Sequence, residues 1–160
     1  FSIWGAGNTA LGIFAMYTPA GTQPQYEVKL SNASISSEYY ITPLPQVTGY
    51  TFSANAQNIG TDPLTNVTLI IDINTGLFTD SGSTPSLAPS STVTLSMLSP
   101  FTPIDTGLYN VDYSLTVTES ESNLNNNSAT NVFEISDTVY ARKMVLIRVH
   151  LDLHQAAQGF

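Results

Sequence analysis

Three side chains near the C-terminus are the first that could do chemistry. His150, Asp152 and His154 stand at i, i+2 and i+4, so on a strand they share one face, and imidazole with carboxylate suits zinc or copper. A flat row of three is not a converging cage, and the chain has no Cys to complete one. The row reads as the polar face of a strand, and no metal ligands are assigned. Glu119, Glu121, Asn123, Asn125 and Asn127 alternate as oxygen donors in a segment that could wrap calcium. The spacing lacks the glycine and the closing Glu of an EF-hand loop, so the segment reads as a solvated hairpin loop. Twelve acidic residues make some carboxylate pair inevitable, but none is singled out. Asp72 and Asp112 are read as surface charge. No Gly-x-Ser-x-Gly elbow occurs, and both histidines sit in the tail, so no triad can be assembled from the rest of the chain. The expectation is no catalytic residue, no cofactor and no enzyme.

Other residues point to modification and contact. Asn32-Ala33-Ser34, Asn66-Val67-Thr68 and Asn126-Asn127-Ser128 match the N-glycosylation sequon, making Asn32, Asn66 and Asn126 candidate acceptors. Trp4, Phe14, Tyr17, Tyr39 and Tyr40 could stack on sugar rings if exposed in a row, although such residues more often serve as core or interface anchors.

These residues must be positioned by strands. The clearest is Leu108 to Thr118, where Tyr109, Val111, Tyr113, Leu115 and Val117 alternate with polar residues. Further strands are expected near 26–30, 38–41, 50–58, 67–73, 93–98 and 129–135. Turn clusters stand at Asn58 to Pro63, at Asp80-Ser81-Gly82-Ser83 and at Asn123 to Asn127, and a Pro-bounded linker at Thr42-Pro43-Leu44-Pro45. No stretch carries a 3.6-residue apolar period. The fold expected is all-β, an immunoglobulin-like sandwich of about seven strands. Residues 1–45 form an N-terminal arm and early strands, 46–135 the sandwich, and 136–160 a C-terminal extension.

In that extension Val145, Ile147, Val149, Leu151 and Leu153 fall on one face of a strand, which must join its own sheet or pair with a neighbouring chain. The arm offers a second apolar set, Ile3, Trp4, Leu11, Ile13 and Phe14. Either set could be the donor in a head-to-tail polymer of identical copies.

Composition bounds the partners. Only 10% of residues are charged, while Ser, Thr and Asn fill 50 of 160 positions, so hydroxyls and amides must hydrate the surface. The net charge of −8 repels nucleic acid and anionic lipid alike, and no apolar run is long enough to span a bilayer. The chain begins at Phe1 rather than Met, which points to a precursor from which an upstream segment was removed.

Asn55 through Leu69, with its Asn58-Ile59-Gly60 turn before Leu64-Thr65-Asn66-Val67-Thr68-Leu69, resembles the second-strand region of CARDB-like immunoglobulin-fold domains. Gly107 to Val111, Glu119 to Asn123 and Asn126 to Ala129 are similar to the late hairpin of the same family. The resemblance covers about 46–135 and departs after Arg142. Phe133 to Arg142 resembles segments that follow such domains in large exported surface proteins of Bacteroidetes-type bacteria. The resemblance implies a bacterial cell-surface module for adhesion or spacing. It also implies an O-glycan acceptor in Asp137-Thr138-Val139, with Thr138 as the attachment point. The reading is a non-enzymatic extracellular subunit that self-assembles into a glycosylated fibre or stalk by β-strand addition. The alternative is an adhesin, carbohydrate-binding or spacer module of a larger exported protein.

Overall fold

The computed structural model describes residues 23–138 and the backbone of 141–142. Nine strands follow in order: β1 (Val28–Ile35), β2 (Tyr39–Pro43), β3 (Phe52–Asn58), β4 (Leu64–Ile73), β5 (Phe78–Leu87), β6 (Thr92–Ser96), β7 (Gly107–Thr116), β8 (Ser128–Ser136) and β9 (Ala141–Arg142). They form a sandwich of two sheets, β1-β3-β6 and β5-β4-β7-β8-β2-β9. Every pairing is antiparallel except that of β2 with β8, which is parallel. The all-β sandwich is as expected. The only helical segments among the described residues are two three-residue 3-10 turns.

Alternation places the core. On β7, Tyr109, Val111, Tyr113 and Leu115 are buried while Asn110, Asp112 and Thr116 face water. From β3 come Phe52, Ala54 and Ala56, and from β4 Leu64, Val67, Leu69, Ile71 and Ile73. Strict alternation breaks once in β4, between Leu64 and Val67. There Asn66 adopts a φ of +51°, a conformation Asn tolerates better than most residues. An aromatic chain fills one end of the core. The Phe133 ring stacks on Tyr109 with centroids 5.0 Å apart and lies 4.9 Å from Tyr50, and Phe101 joins Tyr109 to Phe78. The Tyr109 hydroxyl donates to the Asp105 carbonyl at 2.9 Å, the arrangement of a tyrosine corner in immunoglobulin-like sandwiches.

Two expectations about local structure are corrected. Asp80-Ser81-Gly82-Ser83, expected to turn, lies within β5, which pairs with β4 along nearly its whole length. The segment is polar because β5 is the outer strand of its sheet, with Pro85 blunting that edge. Asp80 ties the strand down by accepting from the Ser81 and Ser99 amides at 2.8 and 2.7 Å. Likewise Thr42 and Pro43, expected in a linker, are the last two residues of β2, opposite Ile135 and Ser136 of β8.

The topology sets the start of β1 and the end of β8 at opposite poles. Residues 23–27 lie against the turn at 58–62, and the segment after β7 returns to the same pole, where the Thr118 amide donates to the Thr65 carbonyl. β8 then runs to the opposite pole, where Ile135 faces Gly107. Residues 141–142 turn back along the free side of β2.

At Gly82 the two sheets touch backbone to backbone, since a Cβ there would overlap the Ser96 carbonyl oxygen. Gly82→Ala is expected to destabilise by about 2–3 kcal/mol in urea unfolding, whereas Ser83→Ala on the exposed side of the same strand should stay within about 0.5 kcal/mol.

Candidate functional site

The polar chemistry collects at the entry pole. Asn58 ends β3 fully buried, and its amide makes three hydrogen bonds: Oδ1 accepts from the Gly60 amide at 2.9 Å, and Nδ2 donates to the Asp62 and Leu87 carbonyls at 2.9 and 3.0 Å. This Asx-type turn brings the backbone of 59–62 onto the incoming chain, where the Thr61 and Asp62 amides donate to the Gln25 carbonyl. Gly60 is required because a Cβ would stand 2.6 Å from that carbonyl oxygen.

The next residue inward is Glu27, 1% exposed. Its Oε2 accepts from the Ser122 amide and hydroxyl at 3.2 and 2.8 Å and from the Asn123 amide at 3.2 Å, and its Oε1 from Asn126 Nδ2 at 3.0 Å. Glu121 reaches back the other way. Its Oε2 accepts from the Val28 amide at 2.8 Å and its Oε1 from Asn127 Nδ2 at 2.9 Å. Two glutamates thus exchange hydrogen bonds between β1 and a loop more than ninety residues away in sequence. Burial pushes the Glu121 carboxyl above its ordinary value, the bonds from Val28 and Asn127 oppose this, and the charges of Glu27 and Glu119 add to it. Glu119 turns outward to Thr65, accepting from its amide and, at 2.6 Å, from its hydroxyl, and that hydroxyl chiefly holds the Glu119 carboxyl below its ordinary value.

The segment read as a solvated hairpin loop is therefore only partly solvated. Glu121 and Asn127 face inward, Glu119 grips β4, and Asn123 caps a 3-10 turn by accepting from the Asn125 amide at 3.1 Å. Glu27 carried no sequence signal. One acid before a strand looks like any surface Glu, and its donors lie at separations of 95 to 99 residues.

The structure scatters the other candidates. Asn32 is exposed; Asn66 is exposed with its amide donating to the Thr118 hydroxyl at 3.0 Å; Asn126 has its amide nitrogen committed to Glu27. Thr138 is exposed just beyond β8. Asp72 and Asp112 face each other across the β4–β7 register on an outer sheet face. Each is occupied locally, Asp72 by the Gly76 amide at 2.7 Å and Asp112 by the Thr130 hydroxyl at 2.8 Å. Outside the described residues lie Ile3, Trp4, Leu11, Ile13, Phe14, Tyr17, Val145, Ile147, Val149, Leu151 and Leu153. His150, Asp152 and His154 lie there too, and among the described residues no group of three or more His, Cys, Asp or Glu is placed to hold a metal. Tyr39 and Tyr40 are 39% and 45% exposed but are consecutive on β2, so their side chains alternate rather than align. Tyr39 borders an open hollow of about 400 Å³ between β2 and the 46–50 segment, lined by Ser36, Thr42, Gln46, Thr48 and Tyr50.

No protein-family model matches this chain, and no curated protein matches it. Among solved structures it is similar to the crystal structure of a CARDB domain from Pyrococcus furiosus in complex with di-metal ions. The identity is 22% and the TM-score 0.52, over 72% of this chain and 90% of that one. The solution NMR structure of that domain gives 22% identity and a TM-score of 0.53, over 69% of this chain and 97% of that one. The sandwich is the CARDB fold.

Asn58→Ala would orphan the buried Leu87 carbonyl, the half-buried Asp62 carbonyl and the Gly60 amide, and an equilibrium unfolding curve is expected to show a loss of about 3 kcal/mol. Glu121 adds a pH signature. Its native carboxyl binds its proton more tightly than the unfolded one, so its contribution is fully present below the unfolded value of 4.5 and is lost as pH rises through the native one. The stability difference between the native chain and Glu121→Gln should accordingly move in favour of the native chain on acidification from pH 7 to pH 4.5, as measured by urea midpoints.

Proposed function

We propose that the chain is a non-enzymatic structural module of an extracellular surface, joined to further copies of itself by β-strand addition into a fibre or stalk. One observation carries this reading: beyond β8 the chain turns back, and residues 141–142 add a strand to the outer side of β2 at the edge of the six-stranded sheet. The alternating apolar residues Val145 to Leu153 follow directly, and a segment of that pattern suits the edge or groove of a neighbouring sandwich. The arm residues Ile3 to Phe14 are the other donor. A contact between different surfaces of successive copies does not close on itself and builds a filament.

The surface chemistry agrees with an extracellular setting. Ser, Thr and Asn rather than charges cover the sheets, and Asn32, Asn66 and Thr138 stand exposed where covalent glycans would add hydration. No helix among the described residues is long and apolar enough to cross a membrane, and the charge of −8 disfavours nucleic acid. A second reading, a carbohydrate-binding or adhesive module, is favoured by the hydroxyl- and amide-lined hollow beside Tyr39.

Negative-stain microscopy and sizing of the full chain, of a chain ending at Arg142 and of one lacking residues 1–22 test the assembly. Filaments from the full chain that disappear in one truncation identify the donor end. Monomers in all three contradict the fibre and leave the binding module.

A further inference from the structure

We propose that Glu27, Glu121 and the side-chain carbonyl oxygens of Asn126 and Asn127 form a binding site for a hard divalent cation of the calcium class. The first observation is charge. Glu27 and Glu121 draw on the adjacent Asn126 and Asn127 side chains, the charge of Glu27 acts on the Glu121 carboxyl, and every partner of either carboxylate is an uncharged amide or hydroxyl: Val28, Ser122, Asn123, Asn126 and Asn127. No cation among the described residues offsets the two.

The second observation concerns two oxygens that belong to neither acid. Asn127 is 5% exposed and packs its amide onto Glu121, while Asn126 packs its own onto Glu27. The Oδ1 atoms of both are buried and have no hydrogen-bond donor. Buried amide oxygens in folded proteins find a partner almost without exception. Both Asn side chains spend an N–H on a carboxylate and neither carbonyl oxygen receives one in return, so the pole holds an excess of acceptors in both charge and hydrogen bonding. A metal ion is the partner that meets both at once, since it accepts lone pairs without bringing protons.

The donor set selects the ion. All the oxygens are carboxylate or amide, with no imidazole or thiol, which disfavours zinc and copper. Two carboxylates and two amide carbonyls on an irregular loop suit calcium, whose coordination is flexible. Magnesium demands a near-octahedral shell and gives up its waters reluctantly. The site lies where the chain enters the sandwich, so an ion there would fasten β1 to the 117–127 loop. This inference does not depend on polymer formation.

The test uses the full chain freed of metal by chelation, then titrated with CaCl2 or MgCl2 at matched ionic strength, followed by calorimetry and thermal unfolding. One calcium per chain is expected, with a rise of roughly 5 °C or more in the unfolding midpoint at millimolar ion and a far smaller rise with magnesium. Glu121→Gln should bind at least tenfold more weakly, and Glu119→Gln, altered at a carboxylate turned away to Thr65, should bind as the native chain does. No binding heat and no midpoint shift in the native chain overturn the proposal. So does an equal shift in Glu121→Gln, which would place the ion elsewhere. Should Glu121→Gln fail to fold, the native-chain titration alone decides.

Discussion

A carboxylate withdrawn from water has to be surrounded by donors, and the burial of Glu27 imposes that demand on the whole entry pole. Four hydrogen bonds from Ser122, Asn123 and Asn126 converge on it, which fixes the loop after β7 in one conformation. The fixed loop carries Glu121 back to the Val28 amide at the start of β1. It also sets Asn127, whose carbonyl accepts from Leu115 and so closes the turn into β8. First strand, last long strand and the loop joining β7 to β8 are thereby locked to one another without a disulfide or an ion pair among these groups.

The rest of the sandwich follows from having little charge to spend. Apolar faces on β3, β4, β7 and β8 close over a single core, and the outer faces are hydrated by hydroxyls and amides. Such surfaces leave sheet edges vulnerable to unwanted pairing, and the chain blunts them by local means: Pro85 in β5, the left-handed Asn32 in β1, and the β2–β9 pair over the outer side of β8.

Period-two alternation was legible wherever a strand has one wet and one dry face, which is why β7 and β4 stand out in the sequence. β5 was not, because an outer strand with Ser, Thr, Gly and Pro looks like a turn until its partner is known. The Asn58-Ile59-Gly60 turn could be recognised by motif, though not its purpose, which is to receive the backbone of Gln25. The candidate site was half visible. The alternating Glu and Asn loop drew attention as an oxygen-rich segment, but Glu27 is what turns that segment inward, and pairing across ninety residues leaves no local trace.

Hydrogen exchange measured by NMR on the full chain tests the keystone directly. If Glu27 organises the pole, the backbone amides of Ser122, Asn123 and Val28 exchange slowly in the native chain, and those of Ser122 and Asn123 lose that protection in Glu27→Gln while the core amides of β4 and β7 keep theirs. Rapid exchange at Ser122 and Asn123 in the native chain would contradict the account.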